Sequence, residues 1–293
     1  MSIPLTAARG PRWNEKLAYL AYQIRRSPLT MAGLAISFIV LLCMIFAPWL
    51  ASHDPNALDL GARLMAPSAE HWFGTDEVGR DLFSRVLFGS QQSVGVGLFV
   101  AFASCLIGGL LGCFSGVIGG RFDALIMRLM DIMLSVPSLV LIMALAAALG
   151  ASLFNAMLAI TLVRIPSYVR LARGQALSIR QMGYVKAAQT FGAGRWHMVH
   201  WHVARNAMPP LLVQLSLDIG SAILMASALG FIGLGAQQPT AEWGAMVATG
   251  RNYILDNWWY STFPGLAILI TATGFNLLGD GVRDLLDPRQ QGK

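Results

Sequence analysis

Residues 132–163, IMLSVPSLVLIMALAAALGASLFNAMLAITLV, hold no Asp, Glu, Lys or Arg over 32 positions, and how they fold sets the topology of the whole chain. A helix crosses the hydrocarbon of a bilayer in about 20 residues. The stretch is therefore too long for one crossing. It accommodates two only if Gly150-Ala151-Ser152 is a tight turn and the second helix runs on past Arg164 to about Val169. With two crossings, only Arg63, Arg80, Arg85 and Arg251 lie outside, leaving 17 of the 21 Lys and Arg on the cytoplasmic side. With one crossing the count is eight inside and 13 outside. Cytoplasmic loops carry an excess of Lys and Arg, so two crossings are expected.

Working outward, residues 29–50, 93–120 and 257–279 carry no Asp, Glu, Lys or Arg, and 206–236 carry only Asp218. The expected fold is all-α, a polytopic membrane protein with six transmembrane helices and both termini cytoplasmic. The expected layout is a cytoplasmic segment 1–28 with an interfacial helix over 13–24, a first crossing 29–50, and an outer loop 51–92. A transmembrane domain 93–280 follows, containing an inner loop 171–207, and then a tail 281–293. Composition agrees: 55% of the 293 residues are hydrophobic and 12% charged, against roughly 25% charged in an average soluble domain. The apolar block after residue 28 is too long for a signal-peptide core and reads as a retained crossing. Trp49, Trp72, Trp243, Trp258 and Trp259 fall near expected outer boundaries, where amphipathic rings favour the headgroup zone. Gly108, Gly109, Gly112, Gly116, Gly119 and Gly120 read as small residues that let helices approach closely. Cys43, Cys105 and Cys113 lie in apolar blocks and read as small hydrophobes.

Catalysis has no candidate. There is no GxxxxGK[ST] loop, HExxH or GxSxG, and Gly230, Gly233 and Gly235 follow no strand. His197, His200 and His202 cluster, but without a neighbouring Cys or carboxylate they read as polar residues at the inner membrane face, and no metal is assigned. Asp218 is an ionisable group inside a crossing, which is costly and marks either a watery path or a structural pairing with an Arg. With Gln214, Ser216 and Ser221 it forms a polar stripe and a candidate path lining. Arg164 reads as snorkelling to the inner interface. The stretch 170–205, which takes in most of the inner loop, carries Arg170, Arg173, Arg180, Lys186, Arg195 and Arg205 and no acidic residue. Within it, YVKAAQTFGA at 184–193 predicts a short helix stopped at Gly192.

That loop resembles the EAA loop of ABC importer permeases, with Ala187-Ala188 and Gly192 in place and Lys186 where the family carries Glu. Gly74-Thr75-Asp76, Gly79-Arg80-Asp81 and Ser84-Arg85 resemble the GTDxxGRDxxSR signature of the dipeptide, oligopeptide and nickel permeases. So do Arg128 to Asp131 with Pro137, Gly230 to Ala236, Glu242-Trp243-Gly244 and the stretch 279–288. Residues 49–56, 235–239 and 258–260 look most like the branch that carries D-alanyl-D-alanine dipeptides. The resemblance implies a non-catalytic subunit of the bacterial inner membrane in an ATP-driven importer of a dipeptide or similar small peptide. Oligopeptides, glutathione or nickel are alternative cargoes, and a secondary transporter is a more distant reading. It implies a second permease subunit, two cytoplasmic ATPase subunits that hold the ATP and Mg, a periplasmic peptide-binding protein, and no nucleic acid. It further implies that Tyr184, Lys186, Ala187, Ala188, Gly192 and Arg195 meet the ATPase through a coupling helix.

Overall fold

The computed structural model describes residues 27–286; the interfacial helix expected over 13–24 and the end of the tail lie outside these. Helix α1 (Pro28–Leu50) starts with Pro28 at its first position, where the missing N–H costs nothing, and Ser27 accepts from the Thr30 N–H. Helix α2 (Leu82–Ile118) is capped by Asp81, whose carboxylate accepts from Ser84 N–H at 2.8 Å. It begins at Leu82, so the end of the loop expected over 51–92 is helical. Helices α3 (Gly120–Leu134) and α4 (Ser138–Leu149) meet at 91°. Between them Pro137 offers no N–H and disfavours helix in the residue before it.

The turn expected at 150–152 is present. Gly150 takes φ +93°, and Ser152 caps α5 (Leu153–Ile179) by accepting from Asn155 N–H. The Asn155 amide reaches back to the Leu149 and Gly150 carbonyls, two acceptors that the end of α4 leaves open. Helix α6 (Gly183–Thr190) is short. Helix α7 (Arg195–Phe231) is continuous but widens to π-helical over Met198–Ala204. Helices α8 (Trp243–Gly250) and α9 (Trp259–Leu286) follow.

Among the described residues four helices, α1, α2, α7 and α9, are long and apolar enough to cross a membrane, and the bent α3–α4 pair would make five. Six were expected. The 12 residues of α4 extend only about 18 Å, against about 30 Å of hydrocarbon. Helix α5 has the length, but Arg164, Arg170 and Arg173 lower its apolarity. The inner loop expected over 171–207 is helical for most of its length.

The core is organised around α2, which packs on α5 and α7, while α9 packs on α7 and α1. The α2–α5 seam depends on the glycine stripe. A Cβ at Gly112 would sit 2.4 Å from the Val169 carbonyl oxygen, one at Gly108 2.6 Å from Tyr168 Cβ, and one at Gly116 2.6 Å from Ala176 Cβ. Trp49, Trp72 and Trp258 are exposed, as interfacial rings should be. Trp243 and Trp259 are buried against Leu82, Val94 and Met246, so they are core residues and not headgroup anchors. Burial competes with the interface for the same amphipathic ring, and burial wins here.

Candidate functional site

The short helix α6 is held by little. Val185 is its one buried side chain, packed with Met198, Val199 and Val203 of α7, and Asn206 of α7 donates to the Tyr184 hydroxyl at 3.1 Å. Its end is a Schellman motif: Ala193 N–H bonds to the Ala188 carbonyl, Gly192 N–H to that of Gln189, and Gly192 takes φ +84°. A Cβ at Gly192 would meet nothing within 4 Å, so the constraint there is conformation and not space. Tyr184, Lys186, Ala187, Gly192 and Arg195 are exposed and Ala188 is half-buried. Around them stand Phe191, 91% exposed, Trp196 and Trp201. A rim of aromatic rings and cations left in the open on a short helix has the character of a partner-binding surface.

Two of the six basic residues of this region are already spent. Arg173 makes a forked pair with Asp123 at 2.6 and 2.7 Å, and Arg170 meets Asp131 at 2.6 Å, tying α5 to α3. Lys186, Arg195 and Arg205 have no acidic partner among the described residues; Arg205 lies over the Trp201 ring. His197 and His202 have ring centroids 5.6 Å apart, with no carboxylate or thiol to complete a metal site among the described residues.

A second polar group lies between α5 and α7. Arg164 turns inward, its guanidinium 3.4 Å from Asp218 Oδ1 and donating to Ser221 at 2.7 Å; Gln214 donates to the same Asp218 oxygen at 3.1 Å. This corrects the snorkelling expected of Arg164. Its guanidinium gains a buried carboxylate there, which an interfacial position lacks. The structure thus brings the candidate lining residues Gln214, Asp218 and Ser221 together around a cation that sequence reading left out. Ser216 points elsewhere, to the Val213 carbonyl. The Asp218 Oδ2 and the Tyr168 hydroxyl are buried without partners. Arg164, Gln214 and Ser221 each keep a partly open face.

The third group is built from the GTDxxGRDxxSR residues. Asp76 accepts from Val78 and Arg80 N–H and pairs with the Arg80 guanidinium at 2.6 Å; Arg85 lies 3.6 Å away, 1% exposed, and donates to the Pro55 carbonyl at 2.9 Å. Arg80 also reaches Gln238, and Tyr260 donates to Glu77. Gly79 at φ +82° is required, since a Cβ would fall 1.7 Å from the Asp59 carbonyl oxygen. Nearby, Glu242 caps α8 through Gly244 and Ala245 N–H and accepts from Ser93. Burial pushes its carboxyl above the usual range, opposed by those three hydrogen bonds. The groups named in this network find partners inside the chain, so they hold the loop before α2 in shape.

Known proteins resemble this chain over most of its length. Residues 108–292 match the family described as binding-protein-dependent transport system inner membrane component, and residues 18–67 match the N-terminal transmembrane domain of oligopeptide transport permease C. The chain is 71% identical over 276 residues to the probable D,D-dipeptide transport system permease protein DdpC of Escherichia coli, covering 94% of this chain and 93% of that one. It is 42% identical to the dipeptide transport system permease protein DppC of Alkalihalophilus pseudofirmus (92% and 88% covered). It is 38% identical to a glutathione transport system permease protein, GsiD, of Escherichia coli (92% and 89% covered). This chain belongs to the family of inner membrane components of binding-protein-dependent transport systems.

Proposed function

We propose that this chain is one of two unlike permease subunits of an ATP-driven importer that carries a dipeptide, with D-alanyl-D-alanine as the first candidate cargo. The observation that carries the cargo is the 71% identity, over nearly the whole of both chains, to a probable D,D-dipeptide permease. The chain crosses the membrane six times with both termini in the cytoplasm, the bent α3–α4 pair making one crossing and α5 the next through the Gly150 turn. The distribution of Lys and Arg supports that topology. Helix α6 and its aromatic rim seat on a cytoplasmic ATPase, which holds ATP and Mg. The chain itself is non-catalytic and binds no nucleotide. A periplasmic binding protein delivers the peptide to the outer face.

The path runs past Arg164, Gln214, Asp218 and Ser221. A charged residue with a partly open face cannot be turned to lipid, so that side of α5 and α7 faces water or the second permease. ATP binding shifts the complex between two global states by holding α6 differently in each. The test is uptake of labelled D-alanyl-D-alanine by right-side-out vesicles in which ATP is depleted while the proton gradient is held. Uptake is expected to stop. Continued uptake overturns the reading in favour of a secondary transporter. Competition by unlabelled L-dipeptides and glutathione distinguishes the cargoes.

A further inference from the structure

The network at the start of α2 contains one cluster that the importer reading leaves without a role. His53, just past the end of α1, and His71, in the middle of the outer loop, both direct Nδ1 at the carboxylate of Asp81. His71 Nδ1 is 3.0 Å from Oδ1 and His53 Nδ1 is 3.9 Å from Oδ2. The two rings lie 4.9 Å apart, centroid to centroid. Among the described residues this is the one group of three whose ligand atoms fall within 4.8 Å of one another.

We propose that His53, His71 and Asp81 bind a divalent transition metal, of the Zn2+ class, as a structural clip across the outer loop. Two imidazoles and one carboxylate suit Zn, Co and Ni, and are a poor set for Ca or Mg, which take oxygen ligands. Bonds to such a metal are about 2.0 to 2.2 Å, placing neighbouring ligand atoms about 3 to 3.5 Å apart. The His71–Asp81 pair already has that spacing. His53 has to close the remaining ångström or so, and its side chain is 38% exposed and able to move. Asp81 is 1% exposed and held in orientation from behind by the Ser84 N–H at 2.8 Å. A hydrogen-bonded support of this kind aims a ligand and sharpens its affinity. Binding needs both Nδ1 atoms unprotonated, so His71 keeps its proton on Nε2 and the metal takes the place of the His71–Asp81 hydrogen bond. It also displaces the Ser52 hydroxyl, now 3.0 Å from His53 Nδ1. The fourth position, on the exposed side of His53, is left to water. Neither His is near the other in sequence, and the clip joins the end of α1 to the start of α2.

The experiment is titration of the full-length chain, purified in detergent, with Co2+ alone and then with Zn2+ as competitor. One equivalent of Co2+ is expected to give a visible d–d absorption band that Zn2+ abolishes. His53→Ala and His71→Ala are each expected to weaken binding by roughly tenfold or more, the scale at which even supporting residues act. His53→Cys is expected to restore the site and add a thiolate-to-cobalt charge-transfer band. That band reports direct ligation, which a purely structural histidine would not produce. A triple alanine variant at His197, His200 and His202 is expected to change nothing. The proposal is overturned if no equivalent binds, if His53→Ala binds as wild type, or if the triple variant removes the band.

Discussion

The two motif-bearing ends of this molecule treat charge in opposite ways. In and around the loop before α2, Asp76, Arg80 and Arg85 are buried and satisfied by each other, by backbone and by Gln238. Around α6, Lys186, Arg195 and the rings of Phe191 and Trp196 are exposed, and the helix is anchored through Val185 and one hydrogen bond from Asn206. The same kinds of residue shape a scaffold in one place and leave an unfinished surface in the other. Internal satisfaction, and not motif strength, separates them. The outer network should therefore fail as loss of fold, and the inner helix as loss of partner.

Asp76→Ala is expected to have the largest effect on stability. It leaves the buried Arg85 guanidinium with no carboxylate partner and Arg80 with Glu77 alone, a loss on the order of 3–5 kcal/mol. It should appear as lost monodisperse protein after detergent extraction; a normal elution profile would break the contrast. Glu242→Ala is next, at about 1–3 kcal/mol for a buried cap with two N–H donors left open. Because burial raises the Glu242 pKa, its contribution is complete below the unfolded-state pKa and declines as pH rises through the folded one. Thermal melts of Glu242→Gln across pH should flatten that trend; an unchanged slope would count against it.

Gly192→Ala sharpens the inner half of the comparison. Its Cβ has room, so the cost is the positive φ, about 1 kcal/mol, and ATPase copurification should weaken without loss of membrane insertion. Gly192→Trp should abolish copurification with insertion intact; normal yield of the complex would remove α6 from the interface. Phe191→Ala is the smallest in stability, within about 0.5 kcal/mol as for an exposed site, yet it should lower copurification measurably.

Much of the architecture was readable because bilayers impose strong rules. The turn at Gly150 followed from a charge-free run too long for one helix, and the stop at Gly192 from the freedom of glycine at positive φ. Close approach at the α2 glycines followed from their spacing, but that α5 is the helix they meet did not. What escaped depended on three-dimensional pairing. Charge placed Arg85 in a loop, but α2 extends outward to carry it into a buried network. Arg164 was assigned to the interface because its partner Asp218 is 54 positions away. The right-angle break at Pro137 shortened what hydropathy alone read as a full crossing. His53, His71 and Asp81 meet only through the fold of an irregular loop, which no periodicity announces.

The π-helical stretch Met198–Ala204 lies between Arg195 and the Gln214–Ser221 stripe on a single continuous helix and carries Met198, Val199 and Val203, on which Val185 of α6 packs. A π-helical insertion offsets the angular phase of a helix by one residue, about 100° in α-helical terms. The proposed docking surface and the polar stripe are thus clocked relative to one another by that widened turn. Deleting a single residue there would rotate Arg195 against the stripe and shift the seat of α6 with it.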